Sequence, residues 1–239
     1  MKYITKQGAP RNYLDWCKAN EGLNNEDYRC LQNPEKASLH ETLIKEQGGL
    51  CAYTMRRIAV SSSHIEHIKP ETLCRAELRG SDLDYNNLVA CFPKEGMTNP
   101  FRYGAQEKGD WWEDDGRDFV SPLHKNCEPK FIFNLKGEVA PFKGDHQAKK
   151  TIEVLKLDHN SLIEDRERAI KEFIFGPAGD SPLSPKKVDQ AIRAVCERNK
   201  SGQFREYCVA IKHALMEYTR QQKKAAKKKK HIQAQQKKK

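Results

Sequence analysis

The feature that most limits what this chain can fold into is a short apolar run ending in an acid and a histidine, Ser63-His64-Ile65-Glu66-His67-Ile68-Lys69-Pro70. It is followed about twenty residues later by a second run, Asp84-Tyr85-Asn86-Asn87-Leu88-Val89-Ala90-Cys91. The pattern predicts a strand over 58–69 and a returning strand over 87–92, a hairpin with a long connection. The connection is polar, with a short helix expected near Ala76-Glu77-Leu78. Pro93 to Tyr103 reads as a loop, and Gly104 to Trp112 as the start of a helix that completes a strand–strand–helix unit.

Those residue types suit phosphodiester hydrolysis, which needs a base for the attacking water and positive charge on the leaving oxygen. His67 is the candidate base, because a neutral imidazole is available near neutral pH. Glu66 is the candidate ligand for a hard divalent ion, with Mg²⁺ favoured by oxygen donors. Asn87, across the hairpin, is expected to accept the other imidazole N–H and fix the ring. On the Glu-His dipeptide alone, a surface Glu beside a packed His explains as much. Pro70, the turn-rich Asp84-Tyr85-Asn86 and Lys108-Gly109 at a helix start move the balance towards a nuclease.

The rest of the chain supplies scaffold. Pro10 opens a helix carrying Tyr13, Leu14, Trp16 and Cys17. Asn33-Pro34 opens a second, with Leu39, Leu43 and Ile44 inward and Gly48-Gly49 ending it. Leu50 to Met55 reads as a strand or knuckle braced by that helix. Phe131–Leu135 and Glu138–Phe142 alternate as a hairpin does. Helices are then expected over 146–157, 161–175, from Ser184 through Cys196, and over 201–222, the last with a stripe of Phe204, Cys208, Ile211, Leu215 and Tyr218. Trp111-Trp112 reads as half core, and His124 and His146 as surface residues. The division is 1–143 for a nuclease domain with its N-terminal brace, 144–222 for a helical region, and 223–239 for a basic, disordered tail that frays beyond Lys224.

Net charge is +10, all of it accounted for by residues 220–239, so the body is neutral and the electrostatic footprint for phosphates is local. Eight cysteines at irregular spacing do not form a disulfide scaffold. No eighteen-residue apolar stretch or signal-like N-terminus is present, so a soluble, cytoplasmic protein with reduced thiols and no membrane association is expected.

In Gln47-Gly48-Gly49-Leu50-Cys51-Ala52-Tyr53, His64 to Pro70, Asn86 to Cys91, Tyr103 to Asp110, Phe119 to Leu123 and Thr151 to Leu157, the chain resembles the HNH endonuclease subunits (PtuB) of Septu-type and retron-associated antiphage systems. The resemblance covers roughly residues 1–175, and the order of the blocks carries more than any one of them. It implies an α+β fold with a ββα-metal core, N-terminal helices and a mainly helical C-terminal half. It also implies nucleic-acid cleavage, DNA or RNA, with a PtuA-like ATPase partner and, in retron versions, a reverse transcriptase and its msDNA. Carried over, His67 is the base, Glu66 a metal ligand and Asn87 the middle asparagine. The last HNH position, counted back from Lys108, falls on Gln106 or Ala105; Gln106 is a weak ligand, with Glu107, Asp110 or His64 as substitutes. The zinc knuckles common in such proteins lack their second thiols, Thr54 standing three after Cys51 and Lys94 three after Cys91; convergence of Cys51, Cys74, Cys91 and Cys127 is the remaining route to structural Zn²⁺, and four buried reduced cysteines are expected instead. A non-catalytic nucleic-acid-binding or adaptor subunit with a degenerate site is the alternative.

Overall fold

Pro10 precedes the first helix, α1 (Arg11–Asn20), and Pro34 precedes the second, α2 (Glu35–Glu46), which lies against α1 and buries Leu39 and Leu43. This computed structural model describes residues 1–97 and 102–236. Part of the loop expected over Pro93 to Tyr103 therefore lies outside the described residues. Gly48 ends α2 with a positive φ of 62°, and a Cβ there would come within 2.4 Å of the Phe204 ring. Only glycine lets the chain reverse that close to an aromatic side chain. It then forms the knuckle, closed by a bridge between Leu50 and Arg57.

The strand expected over 58–69 is shorter. A turn of 3₁₀ helix occupies Val60–Ser62, and β1 is only His64–His67. The reason is local: the Ser62 hydroxyl accepts from Ala59 N–H and the Ser63 hydroxyl donates to Ala59 O, an alternative to the ladder. β2 (Leu88–Cys91) pairs with β1 antiparallel, His64 opposite Cys91 and His67 opposite Leu88. Their connection contains α3 (Glu71–Glu77), starting a few residues earlier than the sequence suggested.

The third element, α4, is one turn, Ala105–Lys108. Gly109, at φ 48°, stops it well before Trp112. Trp111 and Trp112 thus follow the helix and lie half-buried against Phe119.

A second two-stranded sheet pairs β3 (Phe131–Phe133) with β4 (Val139–Pro141). It is followed by α5 (His146–Leu155), whose first turn is capped by the Asp145 carboxylate accepting from Ala148 N–H, then α6 (Asn160–Phe175) and α7 (Pro185–Ala194). The last helix, α8, runs from Cys208 to Gln236. It begins later than the stripe suggested because Phe204 N–H bonds Gly48 O, Tyr207 N–H bonds Met55 O and Glu206 accepts from Arg57 N–H, fastening 204–207 to the knuckle. It also continues past Lys224, where fraying was expected. Ala, Gln and Lys favour helix, and the packed turns from Cys208 to Leu215 meet the cost of nucleation. The architecture is α+β, with both hairpins on one continuous apolar core. No described helix is long and apolar enough to cross a membrane.

Candidate active site

Period-two alternation gives β1 two unlike faces. Ile65 and His67 are buried, whereas His64 and Glu66 are only half-buried. The two candidate residues, adjacent in sequence, therefore reach their surroundings from opposite sides of the strand.

His67 is 7% exposed. Its Nε2 lies 2.8 Å from Asp82 O, and because a carbonyl only accepts, Nε2 carries the proton. That leaves Nδ1 with the lone pair. Among the described residues no hydrogen-bond partner takes Nδ1. The Tyr28 ring meets the imidazole edge-on at 4.6 Å between centroids, fixing its plane. Burial lowers the His67 pKa, with the Asp82 carbonyl and the Glu66 and Asp82 charges acting in the opposite direction, so the neutral ring is favoured.

Asn87 does not hold this ring, contrary to the expectation from sequence. Its Oδ1 accepts from Lys69 N–H at 2.8 Å and its Nδ2 donates to Lys69 O at 2.9 Å and towards Cys74 Sγ at 3.4 Å. Lying just before β2, the amide matches the spacing of a backbone peptide and pairs with one, extending the hairpin by a side-chain rung. It clamps the turn after His67, while the tautomer is set by the backbone oxygen of Asp82, a contact that residue type and spacing do not mark.

On the other face, Glu66 is surrounded by donors. Lys108 Nζ lies 3.2 Å from Glu66 Oε1 and 3.2 Å from His67 O, with its side chain nearly fully buried. Tyr53 OH lies 3.4 Å from the same Oε1. The second oxygen, Oε2, faces His64 Nε2 at 3.6 Å. His64 Nδ1 donates to Pro93 O. Burial would lower the His64 pKa, but contact with Glu66 and the Pro93 carbonyl outweighs it, and the net shift is upward. The donor set suits a divalent cation: one carboxylate oxygen is engaged by Lys108 and Tyr53, and the other is left with a ring nitrogen beyond hydrogen-bond range. Gln106 sits on α4 two positions before Lys108, about 200° around the helix from the residue that does reach Glu66. Lys108 was legible only as a spacing marker; its burial against the carboxylate was not.

Of the four cysteines considered for zinc, only Cys51 and Cys91 meet. Burial alone would raise the Cys51 pKa; hydrogen bonds involving Cys91, Thr54 and Phe92 N–H bring it down to about 6. Cys74 lies beside Asn87 and Cys127 beside Pro122 O, so the four thiols do not converge. A separate group of carboxylates, Asp27, Glu71 and Asp82, gathers oxygens within 4.8 Å of one another on the His67 side. Arg75 already serves it, contacting Glu71 and lying 3.8 Å from Asp82 and 4.0 Å from Asp27.

A retron protein of Vibrio cholerae serotype O1 biovar El Tor, described as "Retron Vc95 putative HNH endonuclease", is similar to this chain. The two are 26% identical over 145 residues, covering 59% of this chain and 67% of the relative. At that identity the similarity supports an HNH endonuclease. No family model matches the chain.

Proposed function

We propose that this protein is a metal-dependent HNH endonuclease that hydrolyses phosphodiester bonds in DNA or RNA. The observation that carries the reading is the buried imidazole of His67, whose Nε2–H is committed to Asp82 O. Its Nδ1 is thereby the basic atom, able to take a proton from the attacking water. Glu66 would hold the divalent cation, which supplies positive charge to the leaving oxygen when bound. Lys108 anchors the carboxylate and the His67 carbonyl together, and Asn87 keeps the turn that follows from opening. These are positioning tasks. They hold base and carboxylate on one short strand, in a fixed relation to each other.

The retron name of the similar protein and the resemblance in sequence support a wider reading, an effector of an antiphage defence complex working with a PtuA-like ATPase and, where a retron is present, its reverse transcriptase and msDNA. The basic end of α8, with Lys223, Lys224, Lys227 and Lys228, adds local attraction for a phosphate backbone.

One observation favours a second reading, a nucleic-acid-binding adaptor with a degenerate site. Lys108 already neutralises Glu66, as a cation would. Purified protein, alone and with a PtuA-like ATPase, is tested on plasmid DNA and total tRNA with Mg²⁺ or Mn²⁺, against His67→Ala. Cleavage by wild type that falls by about a hundredfold or more in the variant supports the nuclease. Binding without cleavage by either protein on every substrate hands the function to the adaptor reading.

A further inference from the structure

The geometry points to His64, two residues before the Glu-His pair, as the nitrogen ligand that completes a cation site with Glu66, and to a transition-metal ion as its preferred occupant over Mg²⁺. The inference rests on the nuclease reading only in using the same carboxylate. Three observations carry it.

First, His64 and Glu66 stand at positions i and i+2 of β1 and share its less buried face. Second, His64 Nδ1 donates to the Pro93 carbonyl, so in the neutral ring the lone pair lies on Nε2, the nitrogen that faces Glu66. A ring nitrogen committed to a backbone carbonyl, with the other free to coordinate, is the usual support for a metal-binding histidine. Third, the gap between His64 Nε2 and Glu66 Oε2 is 3.6 Å, an ion-pair distance when the ring is protonated and long for a hydrogen bond, so a cation can take the place of that proton. Two ligands bonded at about 2.0–2.2 Å stand about 3.3–3.6 Å apart on a tetrahedral ion and about 2.8–3.1 Å apart as neighbours on an octahedral one, so the pair fits the first directly and the second after a small closing movement. The pair is spaced for an ion between them. Meanwhile Lys108 and Tyr53 both engage the other carboxylate oxygen, Oε1, and leave Oε2 facing the ring.

The donor chemistry then selects the ion. Carboxylate oxygens alone favour Mg²⁺, whereas adding an imidazole shifts preference towards Mn²⁺, Co²⁺, Ni²⁺ or Zn²⁺. With two protein ligands, the remaining positions fall to water and to substrate phosphate oxygens. The pair does not require Gln106.

The test is Mn²⁺ binding to the full-length protein, followed by electron paramagnetic resonance with detection of ¹⁴N coupling, and by competition with Mg²⁺. Three variants are compared with wild type: His64→Ala, His64→Asn and Gln106→Ala. The asparagine amide can replace Nδ1–H as donor to Pro93 O while removing the coordinating nitrogen, so it separates ligation from support. Wild type is expected to show an imidazole nitrogen on the ion and to prefer Mn²⁺ to Mg²⁺. Both His64 variants should lose that signal and bind Mn²⁺ about tenfold or more weakly, while Gln106→Ala keeps both. Absence of nitrogen coupling in wild type overturns the assignment even if the variants fold poorly. So does unchanged binding in a folded His64→Asn protein, or loss of binding in Gln106→Ala. An ion held through His64 in a protein that cuts no nucleic acid would leave this site standing and remove the nuclease reading. Mg²⁺-dependent cleavage, equal in wild type and His64→Asn, would do the reverse.

Discussion

The two hairpins have the same topology and opposite characters. In β1–β2 every residue of the second strand is buried, and side chains from elsewhere supply its bonds: Gln47 Oε1 accepts from Ala90 N–H at 2.7 Å, and its Nε2 donates to Ala90 O at 2.8 Å and to Leu50 O at 2.7 Å. Lys6 Nζ reaches Leu88 O at 2.6 Å, and Glu46 in turn holds Lys6 and Tyr85. The β3–β4 pair has a sparser scaffold. It leaves Ile132 and Phe142 exposed, and α8 meets it through His213 accepting from Phe133 N–H, Glu217 accepting from Leu135 N–H and the His213 ring against Phe133. A four-residue strand pair gains fixed partners when polar side chains from outside bond its backbone, and the hairpin with more of them bears the candidate chemistry.

Removing the scaffold should cost most. Gln47→Ala leaves Ala90 N–H buried without its acceptor and deletes two further bonds, so we expect a loss of about 3 kcal/mol in urea unfolding. His213→Ala, on the second hairpin, should lose about 1 kcal/mol. A reversed order would break the contrast.

Acid should weaken both hairpins through different histidines. His40, bonded to the Ser63 hydroxyl just before β1, and His213 both have pKa values lowered by burial from 6.5 to about 4. Neighbouring positive charge assists, from His64 and Lys36 in the first case and the N-terminal amine and Lys212 in the second. The folded state thus refuses a proton that the unfolded chain accepts, so stability is full above about pH 6.5 and falls as pH drops towards about 4. Between pH 7 and 5 each should forfeit about 1–2 kcal/mol. Replacing either by Gln should flatten the pH dependence of the thermal midpoint; an unchanged slope in both variants would show that neither ring is neutral in the fold.

Asn87→Asp keeps an acceptor for Lys69 N–H but loses the donor to Lys69 O. It should cost about 1–2 kcal/mol of stability and at least about tenfold in any cleavage. Equal activity at equal stability would detach the clamp from the site. At the small end, Ile132→Lys on the exposed face of β3 should change stability by no more than about 0.5 kcal/mol.

How legible this was from sequence follows from distance along the chain. The β1–β2 pairing, the burial of Leu39 and Leu43, and the second hairpin were readable because alternation and helical period are local signals. The Glu66-His67 pair and Asn87 were recognisable as candidates by type and spacing. What each side chain touches was not. Asn87 was expected on the imidazole and is on Lys69; the backbone oxygen of Asp82 holds the ring, and Gln47 bonds Ala90 and Leu50, contacts that neither residue type nor spacing marks. Element ends failed where a side chain or another segment competed, as Ser62 and Ser63 shortened β1 and the knuckle drew Phe204 out of α8.

The bond from His67 to Asp82 has a practical corollary. Because the acceptor is a main-chain oxygen, no side-chain exchange at position 82 deletes it outright, and an alanine scan would pass over the contact that selects the reactive nitrogen. Protein chemistry reaches it more directly: converting the peptide bond that follows Asp82 into an ester weakens that acceptor and removes the Leu83 N–H that bonds Gly80 O, while leaving every side chain in place. In a sequence alignment, likewise, this contact would leave no conserved letter of its own, only a conserved loop length.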